Sequence, residues 1–198
     1  MGLPEVQIRE AEAVGQAILK AAELMAEVRH RAYHDALTGL ANRTLFLELL
    51  QFQLSLAQRE QGRLAVLAID LDNFKTVNDD EGHARGDQLL QEVAARIGRT
   101  LRASDAAARS GGDEFWVLLC DTDELSALET ASRLLGALRE PFPGIRTPVS
   151  ASIGIAVYPT MGREPQALLE AADLALYEAK RAGRNRLAVA QAQRPPAG

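Results

Sequence analysis

The chain has 198 residues, 47% of them hydrophobic and 25% charged, which is enough for one well-buried domain with a short appendage and too few for two full domains. A formal charge of −5 excludes a general nucleic-acid or membrane-surface binder, because neither polyanion is drawn to an acidic chain without a local basic patch. The single cysteine, Cys120, excludes an internal disulfide, and its place in an apolar run reads as a buried, inert thiol in a reducing, cytoplasmic setting.

From the N-terminus, charges are scattered through the first fifteen residues with no long apolar core, so neither a signal peptide nor a membrane span is expected in this chain. Ala11, Val14, Ile18, Ala21, Met25, Val28 and Ala32 then recur at spacings of three and four, which places them on one stripe of a helix. Two readings fit residues 1–33: a short coiled-coil stalk, or a helix folded back on its own domain. Residues 34–43 break the pattern at Thr38-Gly39 and offer Asn42 as N-cap for an amphipathic helix over 44–58. An apolar strand follows over 64–69, then a polar turn with a short helix, a helix over 86–101 and a hairpin turning at residues 110–112. A helix over 125–139, a strand over 149–158, a helix over 165–182 and a short strand over 186–189 complete a domain that ends near residue 190. Residues 191–198 read as a disordered tail. Strands and helices mixed in this way predict an α/β sheet covered by helices.

Two acidic clusters stand out. Asp70 and Asp72 follow the first strand directly, where carboxylates meet substrates at the edge of a sheet or cap the next helix. They share a side if the strand continues, since Leu71 points the other way. Asp113 and Glu114 sit in the hairpin behind Gly111 and Gly112, which permit positive φ and close approach to bare backbone. Carboxylates from separate sheet elements, together with phosphate oxygens, supply the hard oxygen ligands of a magnesium-nucleotide.

Gly111-Gly112-Asp113-Glu114-Phe115 is the GGDEF signature. From His34 to about Ala190 the chain resembles the diguanylate cyclase family, with DALTGLANR, DLDNFKTVNDDEGHARGD, ARSGGDEF, SIGIAV and YEAKRAGRNR in the family's order and spacing. The resemblance implies an α/β (α+β) nucleotidyl cyclase fold, with a central mixed sheet covered by helices, similar to adenylyl cyclase and polymerase palm domains and preceded by a helical stalk. It implies condensation of two GTP into cyclic di-GMP by a homodimer using Mg2+ or Mn2+. In that scheme Asp70 and Asp113 hold metal by their carboxylates and Leu71 by its backbone carbonyl, and Glu114 is a second metal ligand or the base for the 3′-hydroxyl. Asn78 and Asp87 match the guanine-recognising positions, a carboxylate suiting the N1 and N2 donors of guanine. The backbone amides of Asn73 and Phe74, the side chain of Lys75, and Lys180 with Arg184 match the phosphate-binding positions, the last two a helical turn apart or, on residue type alone, a solvated helix end. His83 lines the nucleoside pocket or serves structure.

Arg102 and Asp105 match the family's RxxD product-inhibition site in RASD, with five residues between Asp105 and Gly111, and Arg133 matches the second arginine that grips cyclic di-GMP. The chain departs from the pattern at Ala106, Ala107 and Ala108, which are small for this strand, and at Ser110, which replaces a bulkier side chain. Competing classes are a non-catalytic module that senses GTP or cyclic di-GMP, a purely structural dimerisation domain, and a cyclase with relaxed base choice, against which Asp87 argues.

Overall fold

Amphipathic stripes and apolar runs alternate along this chain, and they form helices and strands in the expected order. In a computed structural model that describes residues 5–192, with side chains from residue 12 onward, the order is α1 (Glu5–Tyr33), α2 (Arg43–Glu60), β1 (Leu64–Asp72), α3 (Phe74–Glu81), α4 (His83–Thr100), β2 (Ala106–Gly111), β3 (Glu114–Cys120), α5 (Glu124–Arg139), β4 (Ser150–Tyr158), α6 (Pro165–Arg181) and β5 (Leu187–Val189). The first four residues of the stalk, the side chain of Ala11 and residues 193–198 of the expected tail lie outside the described residues.

The five strands form one mixed sheet in the order β2-β3-β1-β4-β5, antiparallel except where β5 runs parallel to β4. All nine residues of β1 are buried, as expected of a central strand with helices on both faces. α6 lies on the face that carries Gly154, where a Cβ would run into the backbone of α6 at the Ala172 carbonyl and the Leu176 amide. Ala68 and Trp116 occupy the neighbouring positions on that face, in register with Gly154, and α2 joins α6 there. α5 packs on β4 with α4 beside it. The stripe Phe46, Leu50, Leu54 and Ala57 seals α2, and the phenylalanine and each leucine removed from water contribute roughly 1.5–3 kcal/mol.

Asn42 caps α2 as expected, accepting from the Leu45 amide at 3.0 Å, while its Nδ2 donates to the Ala32 carbonyl at the end of α1, 2.7 Å away. One side chain thereby satisfies orphan groups of two helices. Residues 34–41 between them are stitched to β2, with the Ala41 amide donating to the Ala107 carbonyl and the Arg109 amide to the Ala41 carbonyl. Ahead of this joint, every described side chain from residue 12 to residue 32 is exposed, Gly15 aside, so α1 does not fold back on the domain. No helix among the described residues is long and apolar enough to cross a membrane.

Candidate active site

β1 runs on through Asp72, so the period of two puts Asp70 and Asp72 on the same face as Ala68, the face that α6 covers. Asp70 pairs across the ladder with Glu114 on one side and Ser152 on the other. The hairpin turn begins two residues later and ends one residue later than the sequence suggested: β2 continues through Gly111, which pairs with Glu114, and the turn is Gly112-Asp113, with Gly112 at φ 49°. The Asp113 carbonyl accepts from the Leu71 amide at 3.3 Å, which ties the turn to the end of β1. Three carboxylates and the backbone of Leu71 therefore meet at one sheet edge.

Their electrostatics are those of a site that wants a cation. Burial pushes the Asp70 carboxyl above its usual range, opposed by the Lys180 ammonium and reinforced by the charges of Asp113 and Asp72. Burial and then the Asp70 charge push Glu114 up as well, with Lys180 opposing. Lys180 Nζ lies 2.8 Å from Asp70 Oδ2, so this carboxylate already holds a positive charge. Hard, anionic oxygen donors of this kind fit magnesium or manganese and not a soft metal. Among the described residues no three such side chains close into a complete cage; a site of this form would share its ion with phosphate oxygens.

Asp72, two residues from Asp70 on the same face, is fully satisfied: it accepts from Ser150 Oγ at 2.7 Å, Ser152 Oγ at 2.9 Å and the Asn185 amide at 3.0 Å. Arg184 Nε stands 4.0 Å from it. Arg184 and Lys180 thus face the same edge, but not as helical neighbours. α6 ends at Arg181, the chain turns at Gly183, and Arg184 has φ 61°.

Around the edge, Asn73 begins α3 in the left-handed region at φ 68°, and its side chain donates to the Pro148 carbonyl instead of capping the helix. The first amides of α3, Phe74 among them, are left without a side-chain cap, and Lys75 beside them is exposed. Asn78 packs against α4 so closely that a Cβ at Gly86 would collide with its Oδ1, which brings Asn78 beside the exposed Asp87; His83, one turn earlier on α4, is exposed too. On the far side of the domain, Arg102 and Arg133 line one depression of about 570 Å³. Asp105 there accepts from the backbone amides of Arg102 and Cys120, at 3.0 and 3.2 Å. The Cys120 thiol, expected to be buried, is half-buried, and is pushed up to about 11, chiefly by burial, which favours the protonated form at neutral pH.

Several features escaped the sequence reading. Arg109 donates to the Gly112 carbonyl at 2.8 Å and to both oxygens of Asp35 at 3.3 Å, so it links the hairpin turn to the joint after α1. Burial works against the Asp35 charge, yet Thr38 and Arg109 hold its carboxyl below the usual range. Arg43, Glu114, Trp116, Asp173, Tyr177 and Lys180 line a cavity of about 350 Å³, where burial pushes Asp173 up. Ser110 lies at a register shift in β2, and its buried hydroxyl has no partner among the described residues. The alternation of serines in SASIG was the one sequence signal for the Asp72 network; Arg109 gave none beyond its place two residues before the glycines.

Comparisons agree with this geometry. The GGDEF domain, described as diguanylate cyclase, matches residues 32–186. Diguanylate cyclase TpbB of Pseudomonas aeruginosa is 42% identical over 174 residues, 86% of this chain and 40% of TpbB. The cyclic di-GMP phosphodiesterase NbdA of the same species is 43% identical over 162 residues, 81% of this chain and 21% of NbdA. The crystal structure of the coiled coil and GGDEF domain of DgcB from Caulobacter crescentus, in complex with c-di-GMP, superposes with a TM-score of 0.86 at 30% identity, covering 94% of this chain and all of that one. The chain thus spans about two fifths of TpbB and one fifth of NbdA.

Proposed function

The chain belongs to the GGDEF family of diguanylate cyclases, and from that premise we propose that it joins two molecules of GTP into cyclic di-GMP and releases two pyrophosphates. The observation that carries the reading is the pairing of Asp70 with Glu114 across β1 and β3, with Asp113 in the turn between strands and a lysine ammonium on Asp70. Each ribose 3′-hydroxyl attacks the α-phosphate of the other GTP. Asn78 and Asp87 select guanine; the α3 amides at Asn73 and Phe74, with Lys75, Lys180 and Arg184, take the phosphates. Asp70, Asp113 and the Leu71 carbonyl would hold Mg2+ or Mn2+, with Glu114 as further ligand or as the base for the hydroxyl. When bound, such an ion lowers the pKa of the hydroxyl and neutralises charge gathering on the phosphates. Gly111 and Gly112 keep the hairpin free of side chains that would obstruct the substrate.

One domain holds one GTP, so the reaction needs two copies face to face. The exposed apolar stripe of α1 supplies the contact, as a parallel pair of stalks that raises the effective concentration of one site for the other. The likeness to the coiled coil and GGDEF domain of DgcB, which extends over α1, supports this assembly. Arg102, Asp105 and Arg133 form the product-inhibition site; Arg102 and Arg133 share a depression large enough for guanine and phosphate edges, and Asp105 accepts from the Arg102 amide beside it.

A second reading is a non-catalytic domain that binds GTP or cyclic di-GMP, favoured by the match to a region of NbdA, a protein named for phosphodiesterase activity. Purified protein incubated with GTP and magnesium decides between them: chromatography should show cyclic di-GMP, absent with Glu114→Gln. Binding of GTP without turnover at any protein concentration would leave the second reading in place.

A further inference from the structure

We infer that Arg139 and Asp72 are positioning residues, which hold the turn after α6 so that Arg184 is presented to the nucleotide phosphates; this rests on the GTP reading above. The turn is unusual in its backbone. Ala182 and Gly183 close the end of α6 through the Glu178 and Lys180 carbonyls, and the Arg184 amide reaches back to Ala179 at 3.1 Å, the pattern in which a glycine reverses the chain. Arg184 and Asn185 then both sit in the left-handed region, at φ 61° and 50°. Neither is glycine, and two such residues in succession persist only where the surroundings enforce them.

The enforcement comes from two distant elements. The Asn185 amide donates to Asp72 Oδ2 at 3.0 Å, and Arg139, at the end of α5, donates from Nε to Asn185 Oδ1 at 2.6 Å and from Nη2 to the Asn185 carbonyl at 2.7 Å. Asn185 therefore has its backbone amide, its carbonyl and its side-chain oxygen all engaged in holding the turn. Asp72 is occupied in turn by Ser150, Ser152 and Asn185. Its charge is spent on fixing the turn, so of the two carboxylates of DLD only Asp70 remains for a cation. Arg184, pinned on both sides yet with its side chain 62% exposed, is aimed outward beside the Lys180–Asp70 pair. Arg139 touches no part of the candidate site itself.

Titration calorimetry with magnesium tests this, using 3′-deoxy-GTP, which cannot react, and GMP, which offers the base and one phosphate. Proteins compared are wild type, Arg139→Gln, Arg184→Ala and the double variant. Arg139 is exposed, so Arg139→Gln should fold. It should weaken 3′-deoxy-GTP about 10-fold, in line with loss of a two-point charge-assisted contact, and leave GMP affinity within about 2-fold. In the double variant Arg139→Gln should add nothing to Arg184→Ala, because both remove one arrangement. Additive losses, an equal loss of GMP affinity, or wild-type affinity in Arg139→Gln would each overturn the inference while leaving the GTP reading intact. A wild-type protein that binds neither nucleotide would overturn both.

Discussion

Two long helices of this protein, α1 and α6, each carry an apolar stripe and meet opposite fates. α6 presses Leu168, Leu169, Ala172, Ala175 and Leu176 against the sheet. α1 leaves Val14, Ile18, Met25 and Val28 in solvent, each about three fifths exposed or more. Periodicity announces that a helix will cover something; it does not say whether the partner is in the same chain. In the proposed scheme the difference divides the labour as well: α6 brings Lys180 to the carboxylates and would serve the chemistry, whereas α1 would govern whether two sites meet.

If that division holds, variants on either side separate cleanly. Glu114→Gln should reduce cyclic di-GMP formation by on the order of 10³-fold without changing the sedimentation of the protein, and a change in assembly would blur the line between the two regions. Ile18→Glu with Met25→Glu should reduce activity at low protein concentration by about 100-fold through lost effective concentration. Activity should recover as protein concentration rises, and a loss independent of concentration would break the comparison. Arg102→Ala should leave initial rates unchanged while raising the product concentration needed for half-inhibition about 10-fold, measured by adding cyclic di-GMP at the start. Inhibition as strong as in wild type would remove that site from the account.

The smallest effect is on stability. The Glu114 carboxyl is pushed above its ordinary value by burial and by Asp70, so its charged form is disfavoured in the folded protein. That penalty is absent below the ordinary carboxylate value and grows as pH rises through the raised one. Glu114→Gln should therefore melt slightly higher than wild type at neutral pH without divalent metal, and the gap should close as pH is lowered toward 4. A variant that melts lower at neutral pH would show that Glu114 stabilises the fold it was thought to burden.

Much of this was legible in the sequence. The alternating helices and strands were placed by period and by turn residues, and Asn42 caps α2 because an asparagine ahead of an apolar stripe has few other uses. The two acidic clusters could be read as partners because each adjoins a strand. What stayed hidden depends on contacts between residues far apart in sequence or on local backbone. Nothing in DLDNF distinguishes Asp70 from Asp72, since the three donors that occupy Asp72 lie 78 to 113 residues away. Arg184 reads as a helical neighbour of Lys180 because a spacing of four is all the sequence shows, while the reversal at Gly183 is a matter of φ. Nothing in the sequence of the joint after α1 ties it to the hairpin, whereas in the structure Ala41 bonds to β2 and Asp35 pairs with Arg109.

Gly154 has no chemistry of its own, and no substrate would touch it. Its missing methyl lets α6 rest directly on the backbone of β4, and the depth of that seat works like a machinist's shim, setting how far the amine of Lys180 can stretch toward Asp70. An alanine there would lift the whole helix, so tolerance at this buried, silent position is set by a clearance of one carbon atom.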